Sequence, residues 1–170
     1  MTTTRLALAL ACTALGAAGC TAPAPVASAP QPKATATATA PSNGYGDAIA
    51  WRGLSEGFTE AAAQGKPIML LVHASWCPRC KALQPTFSEQ ALVDLSADFV
   101  MINVDQDREP DSLQHSPDGQ YIPRVVFFDA SGKLDPELVN PKRTRYKYFY
   151  TPHDDLVGTM RRALERHGKS

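Results

Sequence analysis

The chain has 170 residues, 44% of them hydrophobic, and its 17 Lys and Arg are balanced by 17 Asp and Glu. That length suits one ordinary domain plus extras. A net charge of zero supplies no electrostatic footprint for nucleic acid or for a membrane surface held by charge.

The first segment reads as an export leader. Arg5 supplies a positive charge, Leu6 to Leu15 are apolar or small, and Gly16-Ala17-Ala18-Gly19 is a small-residue site, so residues 1–19 are expected to be a signal peptide. Cys20 follows at once. Small residues running into a cysteine resemble the lipobox of bacterial lipoproteins, although that family prefers Leu where this chain has Ala17. The resemblance implies lipidation of Cys20, a membrane anchor there and a place in the bacterial periplasm. Ordinary cleavage nearby is the alternative and leaves a soluble exported chain. The four cysteines fit either route. Cys12 goes with the leader and Cys20 takes the lipid, leaving Cys77 and Cys80 with no spare thiol to mispair.

Residues 20–44 are expected to be a disordered tether. Ala, Pro and Thr dominate Thr21 to Ala40, and no large apolar side chain is present to offset the entropy of ordering. A flexible tether of about 25 residues reaches roughly 25–30 Å.

The folded domain is expected over 45–170. Trp51, Leu54 and Phe58 recur at helical spacing and Ala61-Ala62-Ala63 continues the helix to the breaker Gly65-Lys66-Pro67. Ile68 to Ala74 is an apolar run interrupted only by His73, as suits a strand buried on both faces. Pro78 to Ser96 is helical in pattern, with a kink or break at Pro85. Phe99 to Val104 and Arg124 to Asp129 read as strands, separated by a polar loop. Arg145 to Tyr150 alternates charge with aromatics and reads as an edge strand. Thr151-Pro152 then starts a helix carrying Leu156, Met160, Ala163, Leu164 and His167 on one face. Helices alternating with strands and a closing hairpin give an α/β fold: a mixed central sheet with helices on both faces.

The chemistry concentrates in Trp76-Cys77-Pro78-Arg79-Cys80. If the preceding run is a strand and Cys80 lies on a helix, Cys77 sits at the helix N-terminus, where free backbone N–H groups favour an anion. A thiolate is such an anion and is the form of cysteine that attacks disulfides. Pro78-Arg79, between the thiols, tunes the redox balance. A static disulfide is a weak alternative, because so small a loop closes little chain entropy. Two thiolates also suit a soft metal, so Cu(I) delivery is a second alternative. A closed zinc site lacks its other ligands, and Asp105 with Asp107 makes only half of a calcium loop. Use of the fold as a non-catalytic chaperone is a third.

A tryptophan-led pair of cysteines after a buried strand, a proline five residues beyond the second cysteine, and Ile122-Pro123 before the next strand together resemble the thioredoxin superfamily. Trp51-Arg52, Lys81-Ala82-Leu83, Phe99-Val100-Met101, Ser116 to Arg124 and Tyr146 to Tyr150 are similar to the branch of thioredoxin domain-containing protein 12 and the anterior gradient proteins of the endoplasmic reticulum. The resemblance covers about Tyr45 to His167. It implies a three-layer thioredoxin-like fold and a protein-disulfide reductase or isomerase. Cys77 attacks, and Cys80, more buried, resolves the mixed disulfide. Pro123 is cis, faces the pair and keeps metal from closing over it. Ile122 pairs with an extended substrate, and Trp76 covers the site as an apolar platform. The expected partners are proteins or thiols bearing disulfides and an upstream thiol reductant or oxidant. No cofactor is expected beyond the redox-active pair, and the chain is expected to be monomeric. Gly168-Lys169-Ser170 is no retention signal, so an envelope-located bacterial relative is expected. One departure stands out. The superfamily's usual buried acid six positions before the first cysteine is here Leu71, which leaves the proton acceptor for Cys80 open. His73 is nearby, though a lone strand histidine more often packs as a satisfied residue.

Overall fold

A computed structural model describes residues 37–168. The leader, Cys20 and most of the tether lie outside the described residues.

Apolar runs become strands where every residue is buried. The first strand, β1, is Trp51–Arg52, followed by helix α1 (Leu54–Gln64), β2 (Ile68–His73), α2 (Pro78–Leu83), α3 (Gln90–Ser96), β3 (Val100–Asp105), β4 (Arg124–Phe128) and α4 (Leu156–His167). The sheet order is β1-β3-β2-β4. β1 and β2 both run parallel to β3, while β4 is antiparallel to β2, so the sheet is mixed.

Alternation along the strands fills two cores. Met69, Leu71, Met101, Val125 and Phe127 face one side, with Leu83, Phe87, Leu92, Leu156, Met160 and Ala163 from α2, α3, α4 and their junction. Ile68, Leu70, Val72, Val100, Ile102, Val104, Val126 and Phe128 face the other, with Leu54 and Ala61 of α1. These are the three layers expected from the sequence. Gly57 lets α1 lie close on the sheet, since a Cβ there would stand 2.4 Å from the Ile102 side chain. Gly65 ends α1 in the left-handed conformation, at φ 61°.

The break expected at Pro85 is present: Pro85, which has no N–H, places a 3₁₀ turn (Gln84–Ser88) between α2 and α3. Four expectations need correction. Trp51 belongs to a strand, not to the first helix, because it pairs in register with Met101 and α1 starts only after Gly53. Arg145 to Tyr150 is not a strand. Tyr146 adopts φ 53°, which breaks an extended run, and of the β4 backbone only the Val125 N–H pairs with the segment, donating to the Tyr148 carbonyl at 2.8 Å. Its aromatics still anchor the segment, with Tyr148 buried in one core and Tyr150 in the other. The last helix starts at Leu156, capped by the Asp155 carboxylate, which accepts from the Gly158 N–H at 2.7 Å, while Thr151 closes a separate turn with Asp154. Finally, the C-terminal part of the expected tether belongs with the domain. The Thr39 and Ala40 N–H groups donate to the Trp51 carbonyl at 3.0 and 3.1 Å, and Asn103 donates to the Ser42 carbonyl at 2.6 Å. A segment without large side chains is held here by backbone hydrogen bonds to a sheet edge, a term that composition does not report.

Candidate redox site

The site forms where β2 and β3 end side by side. His73 and Asp105 are the last register pair of the two parallel strands. Asp105 organises the turn that follows. One carboxylate oxygen accepts from the Ser75 N–H at 2.9 Å, and the other accepts from the Asp107 N–H at 3.0 Å. The chain then turns into α2 with Cys77 as N-cap and Pro78 in its first turn. The Cys77 sulfur accepts from the Cys80 N–H at 3.2 Å. Both thiols are free.

The neighbours of the pair fall on two sides. Trp76 is 62% exposed, and its indole N–H donates to Asp107 at 2.6 Å. Pro78 and Arg79 are exposed as well. Ile122 packs against Ala74, Cys77 and Cys80, and the Ile122–Pro123 peptide is cis, as the resemblance implied. These are the residues the sequence singled out, apart from Cys20, which is outside the described residues. Leu71 is fully buried in a core and offers no polar atom to the thiols.

Of the other side, the sequence points only to His73. A cavity of about 150 Å³ lies behind Cys80, bounded by Tyr45, His73, Asp105, Lys81 and Arg108. The Tyr45 hydroxyl donates to the Cys80 carbonyl at 3.1 Å, and the Tyr45 and His73 rings lie 4.9 Å apart. Burial, and then the hydrogen bond to Cys77, push the Cys80 thiol up to about 12, with the Tyr45 hydroxyl acting weakly the other way. Tyr45 is itself pushed above the ordinary phenol range, by burial first and by the charges of Cys80 and Cys77 next. His73 moves down. Burial disfavours its cation and outweighs the opposing pull of Asp105 and Asn103. The signal for this side was the matched ends of two parallel strands, which bring His73 and Asp105 together only once their register is known.

Known proteins agree with this architecture. Residues 50–130 match a family model described as thioredoxin-like, so that stretch of the chain forms a thioredoxin-like domain. The chain is 36% identical to anterior gradient protein 2-B of Xenopus laevis over 127 residues, which span 72% of this chain and 76% of that protein. It is 32% identical to the human anterior gradient protein 2 homolog over 128 residues, spanning 73% and 71%. It belongs to the anterior gradient family. Among solved structures it is similar to a DsbH oxidoreductase, at 21% identity and a TM-score of 0.49, over 69% of this chain and 85% of that one. It is also similar to a disulphide isomerase from Xylella fastidiosa Temecula1, at 28% identity and a TM-score of 0.41, over 48% and 66%.

Proposed function

We propose that the protein is a thiol–disulfide oxidoreductase acting on protein disulfides through Cys77 and Cys80. The observation that carries this reading is the placement of Cys77 as the N-cap of α2, its sulfur 3.2 Å from the Cys80 N–H. A sulfur so placed accepts from a backbone N–H at the start of the helix, and the second thiol stands within one helical turn.

The Cys77 thiolate attacks one sulfur of a substrate disulfide. A bond forms between Cys77 and that sulfur, the substrate S–S bond breaks, and the other substrate sulfur leaves as a thiolate that takes a proton. Cys80 then attacks Cys77. The Cys77–Cys80 bond forms, the mixed disulfide breaks, and the second substrate thiol is released. The substrate gains two electrons and the pair loses them; run in reverse, the cycle oxidises substrate. Ile122, against the pair and beside cis-Pro123, offers its backbone to an extended substrate, Trp76 offers apolar surface, and Pro78-Arg79 tunes the couple. We further propose export to the bacterial periplasm, a lipid anchor at Cys20, and action as a monomer recharged by a thiol donor or acceptor.

Insulin reduction with dithiothreitol as donor tests the reading. The wild-type chain accelerates insulin precipitation, Cys77→Ser abolishes it, and Cys80→Ser accumulates a mixed disulfide with substrate. Full activity in Cys77→Ser overturns the proposal.

A further inference from the structure

Resolution of the mixed disulfide needs a thiolate at Cys80, yet Cys80 is 1% exposed and burial holds its proton. Leu71 cannot take that proton, so it must leave by another route.

We propose that His73 accepts the Cys80 proton through water held in the cavity behind the pair. This rests on the oxidoreductase reading and names the base that reading lacks. His73 is 3% exposed, and its Nε2 has no hydrogen-bond partner among the described residues. A buried polar nitrogen left bare is costly, and such atoms are nearly always paired with protein or ordered water. His73 and Cys80 both line the cavity, which at about 150 Å³ is roomy enough for several waters, with Tyr45, Asn43 and Gln84 as polar partners.

The other groups facing His73 do not serve as well. Asp105, from β3, has both carboxylate oxygens engaged by the Ser75 and Asp107 N–H groups. Tyr45, from the N-terminal segment, already donates to the Cys80 carbonyl, and its raised pKa makes it a reluctant donor and no base. Lys81 of α2 and Arg108 after β3 are cations, and Arg108 opposes charging of His73. Asn103 of β3 is neutral, and its side chain favours the charged imidazole, as does the Ala74 backbone, without outweighing burial. Burial thus favours the neutral imidazole, and Nε2 is a ring nitrogen without a partner among the described residues, as a proton acceptor requires.

In the step itself, the Cys80 S–H proton passes through water to His73 Nε2 as the Cys80 sulfur forms its bond to Cys77. The Cys77–substrate bond breaks, and the departing thiolate is protonated from imidazolium or solvent. His73 returns to neutral, and no outside oxidant or reductant is used.

Stopped-flow reaction of the reduced chain with substoichiometric 5,5′-dithiobis(2-nitrobenzoate) separates the two thiols. The first burst of coloured thiolate reads attack by Cys77, and the second reads resolution by Cys80. Absence of the first phase from the wild-type chain overturns the oxidoreductase reading and this proposal with it. With the first phase present, the second is expected to change less than about threefold between pH 7 and 9, because neutral His73 is available throughout. In His73→Gln the second phase should fall by about a hundredfold at pH 7 and rise close to tenfold per pH unit, tracking free thiolate alone. If His73→Gln does not fold, the wild-type profile decides by itself: a rise of about tenfold per unit from pH 7 overturns the proposal. So does a second phase in His73→Gln that matches wild type in rate and pH profile. Transfer of the loss and the steep profile to Asp105→Asn, with His73→Gln unaffected, assigns the proton to Asp105 and also overturns it.

Discussion

Cys77 and Cys80 are almost equally covered, at 4% and 1% exposure, yet they face different surroundings. In front of Cys77 stand exposed Trp76, Pro78 and Arg79, and its sulfur meets a backbone N–H. Behind Cys80 stand buried Tyr45 and His73 and a partly open cavity. Exposed area does not distinguish the two thiols; what backs each of them does. The front sets the Cys77 sulfur against a backbone N–H beside exposed side chains, and the rear holds a proton on Cys80 until a base removes it. The largest expected effect follows directly. With Cys80 pushed up to about 12, its thiolate fraction at pH 8 is on the order of 10⁻⁴. Iodoacetamide should therefore label Cys77 at least about a hundredfold faster than Cys80, as peptide mapping of the reduced chain would read. Equal labelling would erase the distinction between front and rear.

The rear is also structural, and the next prediction separates its two roles. Tyr45 is fully buried, packs edge-to-face on Phe87 with centroids 5.2 Å apart, and accepts from the Trp51 indole through its carbonyl at 2.9 Å. Tyr45→Ala should cost about 3–5 kcal/mol in urea unfolding, as removal of a large buried ring does. Tyr45→Phe keeps the ring and loses only the bond to the Cys80 carbonyl, at a cost of about 1 kcal/mol. If the two variants were equally destabilised, the hydroxyl, not the packing, would be holding the rear together.

Alkaline titration sharpens the same contrast. The Cys80 pKa is raised from its usual 9.0 to about 12 in the fold. The folded chain thus keeps a proton that the unfolded chain releases, so this stability is fully present below pH 9 and is lost as pH rises toward 12. The slope approaches about 1.4 kcal/mol per pH unit. Tyr45, Tyr121, Tyr148 and Tyr150 are likewise raised by burial and add to the loss above pH 10. Between pH 9 and 10 the urea midpoint of wild type should fall while that of Cys80→Ser stays flatter. Parallel curves would mean that Cys80 does not hold its proton.

Front and rear also differ in how legible they were. The front is a contiguous pentapeptide plus Ile122-Pro123, and a linear reading finds it. The three longer strands were equally plain, because Ile68 to His73, Val100 to Asp105 and Arg124 to Phe128 are buried throughout. The rear is assembled from Tyr45, His73 and Asp105, which share a cavity only because β2 and β3 end in register and the N-terminal segment folds back across them. Register and return are tertiary facts. The same limit explains Trp51, whose helical spacing to Leu54 was overridden by pairing with Met101, and Tyr146, whose positive φ broke an alternation that suited a strand.

The smallest effect concerns the front platform. Trp76 is 62% exposed, and its hydrogen bond to Asp107 lies on the surface. Trp76→Ala should leave stability within about 0.5 kcal/mol, because no core contact is lost. A large exposed aromatic beside a reactive thiol still offers apolar area to a partner chain, and one such contact is commonly worth about 1 kcal/mol, or roughly fivefold in binding. The KM for insulin should rise by about that factor, while the rate with a small aromatic disulfide, too short to reach the indole, stays unchanged. A loss shared by both substrates would mean that Trp76 acts on Cys77 itself through the turn it shares with Asp107, and the front would then be one coupled unit rather than a thiol beside a docking surface.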